Sequence, residues 1–338
     1  MRRAESLSRR LRGFVALLAL GSGTARAATL TVTSGDAAGE GFNSTVPRSP
    51  VFGNPGTTLG AQRLNVFQAA ANAWGRTLKS NVEIKIVATF DPLFCDASSA
   101  VLGHAGPTVF NRDFPGAPVA STFYVIAAAN SRQGSDADPA NPDITATFNS
   151  SLDNGSPGCL GGIPWSYTIG GPSSGTVDLF RTVLHELAHG LGFLSGHDTG
   201  TGAKFMGFDD SYLRLLKDET TGEGWSTMTN AERLASQVNN SNLTWTGAKA
   251  NSEIAGFTAG VKNGHMRMFA PNPVQPGSSV SHYDEAVAPN ELQEPELKAD
   301  TEELDTAFLL QDVGWLLSRI FNDGFEGGSD NFWSASVP

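Results

Sequence analysis

The sequence predicts an α+β protein, and three observations carry that prediction. Runs with period-two alternation and runs with 3.6-type apolar spacing both occur within the first 194 residues, so strands and helices are mixed there. One segment, about 175–193, is a far more regular helix than any other and holds a dense set of ionisable side chains. Beyond it the chain becomes polar and turn-rich. The length allows one large domain or two lobes with separate cores.

The elements follow in order. Five arginines precede a short apolar run, Phe14–Leu20, and Ala25-Arg26-Ala27 offers an A-x-A site. That is the layout of a secretory signal peptide over residues 1–27. The apolar run is well short of the roughly 18 residues that span a bilayer. The chain is thus expected to be secreted, extracellular or periplasmic. Cleavage after Ala27 would remove six arginines (Arg2, Arg3, Arg9, Arg10, Arg12, Arg26) and one glutamate (Glu5), taking the net charge from −11 to −16. So acidic a surface argues against nucleic acid and anionic membranes as partners.

"TLTVT" (29–33) is one strand within a stretch rich in Gly, Pro, Ser and Thr. "LGAQRLNVFQAAANAWGRTL" (59–78) reads as an amphipathic helix with Leu64, Phe67, Ala71, Trp74 and Leu78 on its apolar face. "NVEIKIVATF" (81–90) alternates Val82, Ile84, Ile86 and Ala88 inward, a strand. "STFYVIAAAN" (121–130) and "DITATFNSSL" (143–152) are two further strands. A turn-rich stretch with Pro157, Pro164 and Pro172 leads to the loaded helix. Asp178 sits in its first turn, where the helix dipole favours a negative charge, and Gly190 and Gly192 mark its end. A polar insertion, about 198–279, carries short helices at "FDDSYLRLLKD" (208–218) and "TNAERLASQV" (229–238). A final helix is expected near "TEELDTAFLLQDVGWLL" (301–317), and residues 319–338 form a peripheral tail. The two cysteines, Cys95 and Cys159, are an even pair in a chain expected to be exported, and so predict a disulfide.

The chemistry lies in "HELAH". His185 and His189 are one helical turn apart on one face, the spacing of two ligands to one zinc ion. Glu186 is rotated away from both, suited to move a proton rather than to bind the metal. A catalytic zinc takes three protein ligands. The pattern H-E-x-x-H-x-x-G-x-x-H fits as far as Gly192 and then meets Ser195, a poor ligand. His197, Asp198 and a distant histidine are the alternatives for the third position. His104 and His265 are isolated and read as ordinary surface or loop histidines.

"HELAHGLGF", followed far downstream by "SSVSHYDEAVAPNELQEPEL", resembles the leishmanolysin-type metzincins and their bacterial secreted relatives over about 175–315. The "LQDVGW" near the end is similar to the close of that family's last catalytic helix. The resemblance implies a metzincin-like, two-lobed zinc metalloendopeptidase over 28–318, with a mixed twisted sheet and the active-site helix in an N-lobe of about 28–194 and a largely irregular C-lobe of about 195–318. It implies metal ligands His185, His189 and His282, Glu186 as the catalytic residue, one Zn2+ as cofactor, and a protein or peptide as substrate. It also implies a turn under the metal at "NELQEP" (290–295), where the family's methionine is Gln293 here. Tyr283 is expected to pack beside the site. The "DITATFNSS" strand is expected to be the sheet edge that pairs with substrate. Calcium is conceivable from acidic loops such as "FDD", but no D-x-[DN]-x-[DN]-G loop supports it. The alternative, favoured by Gln293, is a secreted binding or adhesion protein that keeps the scaffold without turnover.

Overall fold

A computed structural model describes residues 26–298 and 304–318. The expected signal peptide, apart from its last two residues, and the expected tail lie outside the described residues. The first strand, β1 (Leu30–Ser34), runs parallel to the strand that follows the first helix. That helix, α1 (Leu59–Thr77), starts where the Thr58 side chain accepts the Ala61 N–H, an N-cap that satisfies one of the helix's orphan donors. Its buried face holds Val66, Phe67, Ala70, Ala71 and Trp74, together with Gln62 and Arg63. Leu64, expected on that face, is instead 38% exposed. Arg63 takes the place one residue back because it finds internal partners, donating to the Gly41 carbonyl and the Asp153 carboxylate.

Next comes β2 (Ile84–Asp91), which buries Ile84, Ile86, Ala88 and Phe90 on one face as its alternation requires. β3 (Gly103–Pro107) and β4 (Phe110–Arg112) are short. In "STFYVIAAAN" only β5 (Thr122–Val125) is a strand; the chain then turns directly into α2 (Ile126–Gln133). Every residue from Thr122 to Asn130 is buried, so no periodicity separates strand from helix in that run. β6 (Ile144–Asn149) pairs parallel with β2 and antiparallel with β3, giving the sheet order β1-β2-β6-β3. This corrects the sequence reading of the edge: β6 is an interior strand, and the edge strands are β1 and β3. The sequence "GHAGP" has no strand signature; pairing with β6, rather than propensity, makes it a strand.

The Cys95–Cys159 disulfide is formed. It ties the loop that leads into β3 to the loop after β6. β7 (Trp165–Ser166) and β8 (Val177–Asp178) form a two-stranded parallel pair at the start of α3 (Leu179–Gly190), the loaded helix. α3 packs on α1, where the Trp74 indole N–H donates to the Leu184 carbonyl at 3.0 Å. It also packs on the sheet at Gly190, where an added Cβ would lie 2.5 Å from Ile144.

The rest is built from smaller pieces. No α-helix forms over "FDDSYLRLLKD", only a single 3-10 turn at Leu213–Leu215. Asp210 accepts the backbone N–H groups of Tyr212 and Leu213 at 3.0 and 2.7 Å, and bends the chain into a turn, a local competition that disfavours helix. The result is β9 (Asp209–Asp210), which pairs with β5, and β10 (Leu216–Asp218). α4 (Asn230–Ser236) forms as expected, opened by a capping box between Thr229 and Glu232. β11 (Leu243–Trp245), β12 (Val261–Lys262) and β13 (His265–Arg267) complete a second four-stranded sheet, β10-β11-β13-β12. α5 (Leu304–Asp312) is the described part of the last helix; Gly314, at φ 122°, turns the chain so that Trp315 donates to the Leu191 carbonyl. The fold is thus mixed α+β, with several small sheets and five α-helices among the described residues. One apolar core runs from Ala28 to Trp315. No helix among the described residues is long and apolar enough to cross a membrane.

Candidate metal centre

α3 owes its position to its two faces. Asp178 caps it by accepting from Phe180 and Arg181, while Leu179, Val183, Leu184, Leu187 and Ala188 sink into the core. His185 and His189 then share one side. The helix ends where Gly192 takes φ 119°, a backbone state that suits glycine. That turn brings the Phe193 carbonyl back to the His189 Nδ1 at 2.7 Å.

His282 arrives from the far side of the insertion. Phe269 N–H donates to the His282 carbonyl at 2.9 Å and Tyr283 N–H to the Gln293 carbonyl at 2.8 Å, so the segment is held from two sides. Its Nε2 lies 3.1 Å from that of His185, which lies 3.3 Å from that of His189. Among the described residues these three form a cluster able to hold a metal ion, with their ligand atoms within 4.8 Å of one another.

The tautomers follow from the partners. His185 Nδ1 faces the Leu292 carbonyl at 2.7 Å, His189 Nδ1 the Phe193 carbonyl, and His282 Nδ1 the Ser278 carbonyl at 2.8 Å. A carbonyl only accepts, so each Nδ1 carries the proton and each Nε2 presents a lone pair. Three lone pairs facing one another repel unless a cation lies among them. Zinc–nitrogen bonds of about 2.0–2.1 Å at tetrahedral angles place nitrogens roughly 3.3–3.4 Å apart, close to the separations found. Burial also keeps the rings neutral. It pushes His185 down to about 3, with help from His189, and His189 down to about 4. His282 is likewise held well below the usual histidine range, by burial first and its two neighbours second.

Glu186 is 7% exposed. Burial pushes its carboxyl up to about 8, with the Ala105 N–H of β3 pulling the other way. Leu102 and Thr108 bond Asn149 and Asp143 across the β3–β6 ladder. By the alternation of an antiparallel pair, Gly103, Ala105 and Pro107 then direct their backbone polar groups to the free side. The free edge thus runs beside Glu186.

The other candidates fall elsewhere. His197 is buried, with Nδ1 on Ser195 Oγ at 3.0 Å and Nε2 on Gln237 Oε1 at 3.2 Å. Asp198 is exposed and caps the N–H groups of Gly200 and Thr201. His104 is exposed on β3, and His265 pairs with Glu219 at 2.9 Å. The Tyr283 ring is fully buried, edge-on to Phe193 at 5.1 Å. Gln293 is fully buried beneath the cluster; its amide N–H donates to the His185 carbonyl at 2.8 Å, and its Oε1 has no partner among the described residues. Sequence reasoning missed the three carbonyls that orient the rings and the edge role of β3. Both are backbone features, which carry no side-chain signal.

No family model, curated protein or solved structure matches this chain.

Proposed function

We propose that this chain is a secreted zinc-dependent endopeptidase of metzincin-like fold, similar to the leishmanolysin-type enzymes and their bacterial relatives. One observation carries the reading: three neutral imidazoles, two buried and that of His185 half-buried, each locked by a carbonyl at Nδ1, point their Nε2 lone pairs at one another. A nitrogen set of that kind suits zinc. The resemblance in "HELAHGLGF" and "SSVSHYDE" supports the family, and the disulfide agrees with export.

His185, His189 and His282 would hold the ion. When bound, zinc supplies Lewis acidity that polarises a carbonyl and acidifies water. An extended peptide laid along the free edge of β3 gains backbone bonds at Gly103 and at the Ala105 carbonyl, the Ala105 N–H being held by Glu186, and is brought past Glu186. A cation held by the three histidines would favour the ionised form of Glu186 over the protonated one that burial alone favours. Glu186, next in sequence to His185 but not on its face, would then take the proton of the attacking water and return it to the leaving amine. The buried walls of α3 limit competing water.

The rival reading, a binding or adhesion protein on the same scaffold, drew its support from Gln293. That support weakens, because the glutamine amide bonds the His185 carbonyl and leaves the three rings converged. The test is a general protease assay on the purified protein, metal-free and with one equivalent of zinc. Zinc-dependent peptide cleavage, abolished by a chelator, is the expected result. Zinc uptake without any cleavage would favour the binding protein, and no uptake would remove both readings.

A further inference from the structure

Two adjacent residues, Leu292 and Gln293, reach both ends of the histidine cluster. The Leu292 carbonyl accepts from the His185 ring. The Gln293 side-chain amide donates to the His185 backbone carbonyl at 2.8 Å, and the Gln293 backbone carbonyl accepts from Tyr283, the residue after His282, at 2.8 Å. One dipeptide thus fixes the ring and backbone of one ligand and the backbone beside another.

The choice of glutamine calls for a cause. The side chain is fully buried, and its Oε1 has no partner among the described residues. A buried carbonyl without a partner is destabilising. A methionine of similar length would fill the space with no such penalty. The compensating feature is the single bond from Nε2 to His185. A helical carbonyl has two lone pairs, so this bond adds to the helix's own hydrogen bond at His185.

We infer that Gln293 is a positioning residue, whose amide sets the distance between α3 and the His282 segment and so holds the three imidazoles in register for a metal ion. The inference rests on the reading of this cluster as a metal site. Groups that orient ligands from behind them typically contribute 10- to 100-fold to metal affinity. Gln293 then trades fold stability for geometry, the opposite of a packing residue.

That trade gives the test. Zn2+ and Co2+ are titrated into metal-free wild type and Gln293→Met, with thermal midpoints recorded for both metal-free proteins. The expected result is metal affinity about 10- to 100-fold weaker in Gln293→Met, altered visible bands for its Co2+ complex, and a thermal midpoint equal to or above wild type. Val66→Ala, at a fully buried position on α1 away from the cluster, should lower the midpoint and leave metal affinity alone. Unchanged affinity and Co2+ bands in Gln293→Met would overturn the inference, as would affinity and midpoint falling together. If wild type takes up no metal, the metal-site reading fails separately. The positioning role is then read in the metal-free proteins from the His185 imidazole nitrogen resonances. Loss of the Nδ1-protonated form in Gln293→Met supports it, and identical spectra refute it.

Discussion

The chain up to α3 and the chain after it are built by different means. Before α3, apolar side chains choose the structure: Ile84, Ile86, Ala88 and Phe90 line one face of β2, and Val66, Phe67, Ala70 and Trp74 line α1. After α3, short polar side chains bend the backbone directly. Asp210 collects the N–H groups of Gly196, Tyr212 and Leu213, and Asp218 accepts from Thr220 and Asn239. The first region supplies a platform with His185, Glu186 and His189 on one helix. The second, built of short strands and turns, delivers His282, the third member of the cluster. The lesson is that a loop-rich region can place a side chain accurately when its backbone is bonded on both sides, as the His282 segment is to Phe269 and Gln293.

The largest effect should come from the platform. Glu186→Gln keeps the shape of the side chain but removes its basicity. On the proposed mechanism, in which one group handles both proton transfers, peptidase activity should fall by several orders of magnitude, while zinc content stays at one equivalent. Activity within tenfold of wild type would remove Glu186 from the mechanism.

The second region can be broken separately. His282→Ala should drop bound zinc well below one equivalent, because two nitrogens seldom retain the ion. His197→Ala should keep zinc, since the His197 ring is occupied by Ser195 and Gln237. It should still cost some stability, because the ring packs on Trp225. Metal analysis of both purified variants decides, and the reverse pattern would move the site to residue 197.

These two variants also mark how far the sequence could be read. The pair on α3 was legible because a helix fixes the geometry of residues four apart. His282 was legible only through resemblance, since 93 residues separate it from His189 and no local rule spans such a distance. The strand at 84–91 was legible from its alternation. The edge strand β3 was not, because "GHAGP" becomes a strand through its partner and not through its own side chains. The helix expected at 208–218 failed because Asp210 offered the backbone a competing set of bonds.

The disulfide tests how the first region holds its edge. Cys95 and Cys159 close a loop of 64 residues around β3 and β6. Replacing both by serine should lower stability by up to about 4 kcal/mol on the chain-entropy account. Denaturant unfolding with and without reductant measures it. A loss below about 0.5 kcal/mol would mean that the β3–β6 ladder needs no tether.

The smallest effect sharpens the comparison most, because it isolates polar organisation in the second region. Glu219 lies at the end of β10, its side chain only 3% exposed. It accepts from Thr244 on β11 at 3.0 Å, from His265 on β13 at 2.9 Å and from Asn263 between β12 and β13 at 2.8 Å. One carboxylate therefore joins three strands of the second sheet. Burial pushes its pKa up, but the bonds from Asn263, His265, Lys217 and Thr244 outweigh it and hold the group at about 2, against 4.5 when unperturbed. The folded state binds this proton less readily than the unfolded state. Its stabilising contribution is therefore fully present above pH 4.5 and is lost as the pH falls towards 2. Glu219→Gln removes the titration. Wild type should be the more stable at pH 7, by about 1–3 kcal/mol as for hydrogen bonds to a charged group, and the gap should close between pH 4.5 and 2. Urea unfolding of both proteins across that range is the measurement. A gap that does not change with pH would mean that the second sheet is held by packing, as the first one is.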